Sequence, residues 1–393
     1  MYIFSSERAK IIFLIALLIG ILITVSFFVV RIFGIGNINN NISSTKNLED
    51  WIIKNVTFIR DSEMVISRNI VILENGTLII KNSKIYMNLR YDGQYAIIVY
   101  GNLTIIDSLL TSYDKEFNYY IKVFSTGSIT IKNSEISYAG YSWGDNGDKS
   151  GLWIHTNSVL IENSIIHHNY YGIFLYKSNK TILYNVTIKY NSFYGMFLLN
   201  SSYNVIHNCD ISRNGRDGLF ISSSSWNEIT KCNISNNSGN GVTLLDSVGN
   251  ILKDCQILSN KMNGINAKSI YGNIISTSEI SNNSLNNILL VSSSYNKFLS
   301  CNITTGGLSG IYMLSSENND ISLCKIMNNT ASGIYMTSSG FNTVYKIIIL
   351  YNTYGINLDY SNANFIIESS IGFNDLYGIY LHSSHVNSIV GSN

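Results

Sequence analysis

From Gly172 onward the chain repeats itself every 23 residues. Written in that phase, GIFLYKSNKTILYNVTIKYNSFY is followed by GMFLLNSSYNVIHNCDISRNGRD and then GLFISSSSWNEITKCNISNNSGN. The phase continues through Gly241, Gly264, Asn287, Gly310 and Gly333, loses one residue before Gly355 and resumes to Gly378. A unit of this length cannot bury its own apolar face, so copies of it must stack on one another.

Within each block the apolar residues alternate over short runs. Ile173 and Leu175, Met196 and Leu198, Leu219 and Ile221, and Ile311 and Met313 follow the leading position. A second run supplies Ile206, Ile229, Leu252, Ile275, Phe298 and Ile321, and a third supplies Ile188, Ile211, Ile234, Ile257, Ile280, Ile303 and Ile326. Period-2 runs separated by turn residues are strands, whereas helical repeats need three- and four-residue spacing that is absent. The expected fold is all-β: a right-handed parallel β-helix with three short strands in each 22–23-residue coil.

Stacking places equivalent residues about 4.8 Å apart, the interstrand distance. Asn204, Asn227, Asn250, Asn273, Asn296, Asn319, Asn342, Asn364 and Asn387 share one turn position. Asn tolerates left-handed backbone, and stacked amides can bond along the rod. A second column, Asn191, Asn214, Asn237, Asn260 and Asn283, breaks at Gly306 and returns at Asn329, Asn352 and Asn374. Both columns read as structural. The absence of proline suits a chain that commits nearly every N–H to ladders.

Residues 51–171 follow the same grammar with uneven spacing, in NGTLIIKNSKI, YGNLTIIDSLL, TGSITIKNSEI and TNSVLIENSII. Loops are expected at Leu89–Gln94, Tyr113–Tyr119 and Tyr138–Ser150. Ahead of them, Ile11–Val30 is uncharged and long enough to cross a bilayer core as a helix. Arg8 and Lys10 before it favour a cytoplasmic N-terminus and an external body. A cleaved signal peptide would have a shorter apolar region and a small-x-small site, unlike Phe27-Phe28-Val29-Val30-Arg31. The expected organisation is a transmembrane signal anchor over 1–34, a polar linker over 35–50, irregular coils over 51–171 and regular coils over 172–393. This places a single-pass protein in the cell membrane, with the rod on the extracellular or periplasmic side. Twelve Asn-x-Ser/Thr sites, from Asn41 to Asn328, permit that location, although an Asn- and Ser-rich chain generates them by chance. With 13% charged residues and a net charge of +1, no nucleic-acid partner is expected.

The block GI-x-L-x-x-S-x-x-N-x-I-x-x-C-x-I-x-x-N, from about Ile52 to the C-terminus, resembles the repeat of the NosD-type and the carbohydrate-binding and sugar-hydrolase β-helix families. Archaeal surface proteins resemble it too. The resemblance implies the fold. It leaves the activity open, since such families include lyases, hydrolases, epimerases, copper-maturation factors and surface proteins.

Cys209, Cys232, Cys255, Cys301 and Cys324 occupy one repeat position, which Ser278, Val186 and Ile347 fill in other coils. Such a column is a small-residue core position, so buried reduced thiols are expected. Parallel Cβ vectors suit disulfides poorly. The alternative, Cu(I) on Cys209, Cys232 and Cys255, suits soft ligands and fits the NosD resemblance. The apolar substitutes in the column argue against access, so no cofactor is expected, and Ca²⁺ would enter only with a lyase-like site. His155, His167, His168, His207, His382 and His385 read as scattered turn residues.

Catalysis on such a rod needs carboxylates clustered on one outer face. The acids of the regular coils spread over many repeat positions. The early loops concentrate Asp92, Asp114, Glu116, Asp145 and Asp148, with Lys115 and Lys149, near Trp143, and could line a cleft if they share a side. Ordinary solvated loop charge is the plainer reading. Alternation also turns Trp153, Phe174, Phe197 and Phe220 outward on successive coils, with His155 and Tyr176 beside them. Apolar residues on an outer face need either a ligand or a cover.

The last block stops before its third strand, so an open coil is expected that either reflects truncation or docks onto another protein. Three functions follow: a non-catalytic surface rod binding glycans through the aromatic face, a polysaccharide lyase, hydrolase or epimerase using residues 89–150, or a NosD-like copper-related accessory protein. The first is preferred, because carboxylate pairing and an accessible Cys/His cluster are both missing.

Overall fold

The computed structural model describes residues 49–393. The apolar run over 11–30 lies outside the described residues, and among those described no helix is long and apolar enough to cross a membrane.

Three parallel sheets run side by side, two of fifteen strands and one of fourteen. Each strand pairs with the strands three before and three after it, so every coil adds one strand to each sheet. Leu219–Ser222, Glu228–Thr230 and Asn233–Ser235 form one such coil, in the first, second and third sheets respectively. The sequence period is the pairing register: Ile173 sits beside Met196, and Met196 beside Leu219. The uneven segment joins the same three sheets, with Trp51 beside Ile70, Ile97 beside Ile121, and Ile121 beside Leu152. Its surplus residues lie mainly in the third turns, between the third sheet and the first sheet of the next coil.

Alternation delivers the core. Ile211, Ile234, Ile257, Ile280, Ile303 and Ile326 form one fully buried column on the third sheet. Each contributes about 1.5–3 kcal/mol relative to exposure. The turns are short because one residue in each adopts left-handed backbone, as Asn185, Asn208, Lys231 and Asp254 do at successive second turns. Asn and Asp adopt this conformation readily, whereas lysine is held there by the ladders on either side.

The first-turn asparagines form a buried amide ladder. The Nδ2 of Asn227 donates to Oδ1 of Asn250 at 2.9 Å, and the backbone N of Asn227 donates to the same oxygen at 2.9 Å. Asn250 in turn donates to Oδ1 of Asn273 at 3.1 Å and to the Ser224 carbonyl at 3.0 Å. Donors and acceptors both find partners, which makes the burial of an amide tolerable.

The second column requires a correction at Gly306, because the structure closes the gap. Asn287, which stands where other coils have their leading glycine, turns its amide into the vacated place. It accepts from Asn283 Nδ2 at 2.9 Å and donates to Asn329 Oδ1 at 3.0 Å. The two irregularities are one exchange: the asparagine moved across the turn and the glycine moved with it.

Candidate functional site

The three early loops follow one another in third turns and stack on the same side of the rod. Gly93 N donates to the Asn118 carbonyl at 2.7 Å, and Asn118 Nδ2 donates to the Gly140 carbonyl at 2.9 Å. Three of their five acids, Asp92, Asp114 and Asp148, bond within or between the loops rather than to a shared site. Asp92 accepts from Asn118 N at 2.8 Å, and Asp114 accepts from Glu116 N at 3.0 Å. Glu116 and Asp145 are exposed. Asp148 accepts from Asp145 N at 3.0 Å and pairs with Lys122 Nζ at 2.6 Å, where both side chains are largely buried.

That ion pair pins residues 138–150 onto the outer face of the first sheet. Trp153 Nε1 adds a bond to the Asn146 carbonyl at 3.2 Å. Gly147, at φ +81°, lies so close to Phe174 that a Cβ would fall 2.0 Å from its ring. Of the two readings of the aromatic column, ligand or cover, the loop supplies a cover. Trp153, Phe174, Phe197 and Phe220 do leave the rod interior on neighbouring strands. The loop covers them, however, leaving Trp153 5%, Phe174 0% and Phe197 7% exposed. With Tyr171 and Tyr194 they make a second apolar cluster outside the main core. Phe220 and Tyr176 stay half-buried at its margins. The accessible ring on top is Trp143, 39% exposed and stacked on Phe174 with centroids 5.4 Å apart.

His155 and Tyr176 occupy the adjoining outward row, with centroids 5.3 Å apart. Tyr100 and Phe124 extend that row toward the N-terminal coils as a stacked pair at 4.6 Å. Burial, aided by the charge of Lys177, pushes the His155 ring below its ordinary range. On the other flank, burial pushes the Tyr194 phenol up to about 12, so it is no ready base near neutrality.

Asp217 follows Tyr194 in the same column and is buried. It accepts from Thr243 Oγ1 at 2.7 Å and from Asn240 N at 2.9 Å, ending a row of amides through Asn263 and Asn286. Burial pushes its carboxyl above the ordinary carboxylate range, although these hydrogen bonds oppose the shift. The folded state then holds the proton more tightly than the unfolded state. Its contribution to stability therefore falls as pH rises from the unfolded value to the folded one, and stays lower beyond. Asp217→Asn keeps the acceptor and removes the charge. The variant should match the parent near pH 3 and melt a few degrees higher at pH 7, as followed by circular dichroism. A gap that does not change with pH would contradict this reading.

A shallow groove of about 630 Å³ follows the second turns of the first five coils. Its acids are also engaged: Asp61 accepts from Asn82 at 2.6 Å, Asp107 from Asn133 at 3.0 Å, and Glu63 pairs with Lys84 at 3.7 Å. This is ladder chemistry on the surface. The five cysteines lie in the core as free thiols. Cys232 donates to the carbonyls of Thr230 and Ile206, and Cys255 to those of Lys253 and Ile229. The neighbouring Cys232 thiol, then burial, hold Cys255 far above the ordinary thiol range. Cys209, Cys232 and Cys255 are all buried in the core, so as folded they do not fit Cu(I), which needs ligands it can reach.

The model of the right-handed β-helix region matches residues 119–277 and, overlapping, 264–393. The chain belongs to the right-handed β-helix family. Among solved structures this β-helix is similar to the periplasmic alginate epimerase AlgG, at 16% identity and a TM-score of 0.59, over 84% of this chain and 78% of that one. It is also similar to the A-module of the mannuronan C-5 epimerase AlgE6 of Azotobacter vinelandii, at 12% identity and a TM-score of 0.54, over 86% and 90% of the two chains. At these identities the likeness is one of fold. No curated protein matches the sequence.

Sequence reasoning passed over one set of rings on the β-helix. Tyr203 and Trp226 stand at consecutive first turns in left-handed backbone, 58% and 55% exposed. Trp226 lies across Gly249 of the next coil, where a side chain would collide with it. The signal was available as aromatics at one repeat position, which recur there at Tyr295 and Phe341, while other coils place Lys180, Gly249, Gly272, Asn318, Ala363 and Val386 in it.

Proposed function

We propose that the chain is an extracytoplasmic glycan-binding β-helix, tethered to the membrane through residues 11–30. The polysaccharide would lie across the aromatic layer that the first sheet and residues 138–150 build outside the rod. The observation that carries this reading is that layer: Trp143 rests exposed on a buried bed of Phe174, Tyr171 and Phe197, held by the Lys122–Asp148 pair. A single flat ring on a rigid support, with Phe220 and Tyr194 next to Phe197 in the same layer, suits the apolar face of a pyranose. The alginate and mannuronan epimerases that share the fold support a sugar polymer as the ligand class. The tether rests on the uncharged run of residues 11–30, and loss of membrane retention when that run is deleted would test it.

Binding of the full-length chain, in detergent micelles, to a panel of polysaccharides tests the site. Trp143→Ala and Phe220→Ala should each weaken affinity by about tenfold, the scale of a well-packed anchor residue. Trp226→Ala, on the first turn, should leave it unchanged. If Trp226→Ala abolishes binding and the other two do not, the site has been placed on the wrong face. Release of reducing ends or unsaturated products in the same incubations would convert a binding site into a catalytic one.

A further inference from the structure

Two columns of stacked side chains run along the third turns, beside the loop-covered face. In the first, Tyr138 stacks on His168 with centroids 5.3 Å apart and His168 on Tyr190 at 5.5 Å. The Arg213 guanidinium closes that column, 5.7 Å from the Tyr190 ring. In the second, Tyr170 stacks on Phe193 at 5.6 Å, and Arg216 lies 4.8 Å over the Phe193 ring. Tyr190 and Arg213 are one period apart in the sequence, as are Phe193 and Arg216. Both arginines therefore stand in the same turn, each laid on the ring of the coil before.

Rings stacked along the rod hide their faces from solvent and show their edges. These columns thus offer hydroxyls, ring nitrogens and guanidinium N–H groups, which is hydrogen-bonding rather than stacking chemistry. An arginine on an aromatic ring is held in place while its planar fork stays free to grip a carboxylate or sulfate. Arg213 uses one N–H on the Tyr190 hydroxyl at 3.1 Å. Among the described residues, neither Arg213 nor Arg216 has a carboxylate within salt-bridge distance. Asp217, next in the chain, feels the Arg216 charge but spends its oxygens on Thr243 and Asn240. Glu135, beside the first column, is taken by His167 Nε2 at 2.9 Å. Lys115, 5.7 Å from Tyr138, and Lys189, 5.8 Å from Tyr190, add positive charge to the same strip. Burial first, then the charges of His167 and Lys115, pushes the His168 ring below its ordinary range, as positive surroundings require.

We infer that this strip binds an anionic polysaccharide, with a carboxylate or sulfate seated on Arg213 and Arg216. The polymer runs along the rod past Tyr190, His168 and Tyr138. Successive coils repeat the turn at about 4.8 Å, close to the length of one sugar ring, so an extended chain can stay in step with it. The inference rests on the glycan-binding reading and adds the charge class of the ligand.

The test uses the full-length chain with immobilised polygalacturonate, heparin and neutral dextran at low and high salt. Binding to polygalacturonate or heparin should exceed binding to dextran and fall with salt. It should weaken by about tenfold or more in R213Q/R216Q, as expected when charge-assisted bonds are lost. Preference between the two anionic polymers tells carboxylate from sulfate. R213K/R216K keeps the charge without the fork and should restore only part of the affinity. Both arginines are exposed, so an unchanged melting temperature separates lost binding from lost folding. Anionic glycans bound equally well by R213Q/R216Q, or no better than dextran by the parent, would overturn the inference while sparing glycan binding itself. Failure to bind any polysaccharide would overturn both.

Discussion

Replacing Asn250 by leucine is expected to lower the unfolding free energy by about 3–5 kcal/mol, the range reserved for broken buried networks. Leucine shares the branched shape of asparagine but is bulkier, so no cavity opens and the loss is one of polar partners with some crowding added. Asn250 Oδ1 accepts from both the backbone N and the Nδ2 of Asn227, each at 2.9 Å. Its own amide serves Asn273 and Ser224. The substitution strands two buried donors on Asn227, each worth about 1–3 kcal/mol when unsatisfied. Because a coil pairs only with its neighbours, the defect should also divide the rod, broadening or splitting the urea transition followed by circular dichroism. Asn185→Ala, at an exposed second-turn position in left-handed backbone, should cost only about 1 kcal/mol, from the backbone preference alone. Equal losses in the two variants would mean that the ladder contributes nothing beyond ordinary turn chemistry.

The exchange between Asn287 and Gly306 makes a sharper prediction, because it concerns the sign of a coupling. Asn287→Gly alone removes the acceptor of Asn283 Nδ2 and the donors of Asn329 Oδ1 and the Thr304 carbonyl. Gly306→Asn alone places a Cβ 2.8 Å from Asn329 Oδ1 and 3.0 Å from Asn287 Nδ2, where no room exists. Each single change should cost about 2–3 kcal/mol, from stranded polar groups in one case and overpacking in the other. Together they recreate the arrangement of the preceding coil, where Asn283 Nδ2 and Gly264 face one another. The double variant should therefore lie close to the parent, giving a coupling of about 2–3 kcal/mol by a double-mutant cycle. Additive losses would mean that the two positions are independent and that the bridging geometry is incidental.

These two residues also show what the sequence could and could not disclose. A fixed period reports pairing register directly, so the coil, the strand positions and the asparagine columns were all legible. The cysteine position was legible as well, since Ser278, Val186 and Ile347 share it. Asn287 and Gly306 were visible only as two separate lapses. They lie nineteen positions apart in the chain, and only folding shows that they face one another across consecutive third turns.

The site was legible in its components and not in its assembly. Alternation shows that Phe174 leaves the core, yet it says nothing of what lies over that face. The cover comes from an irregular segment, through Lys122, Asp148 and Gly147, whose roles depend on a loop path that no period encodes. The arginine columns fall between these cases. The spacings from Tyr190 to Arg213 and from Phe193 to Arg216 were there to be read. The continuation to His168 and Tyr138 passes through coils of other lengths and needed the structure.

The amide ladders have one more consequence, which concerns how such a chain can change over generations. A whole 23-residue block, inserted in phase, supplies for every bond it interrupts a new one of the same kind. An insertion of a few residues offers no such exchange and must be looped out at a turn, as in the early coils. Rod length is therefore quantised, and the separation of two turn sites can grow or shrink only in steps of about 4.8 Å. Reach can be altered by copying coils without disturbing chemistry, and chemistry by rewriting turns without disturbing reach.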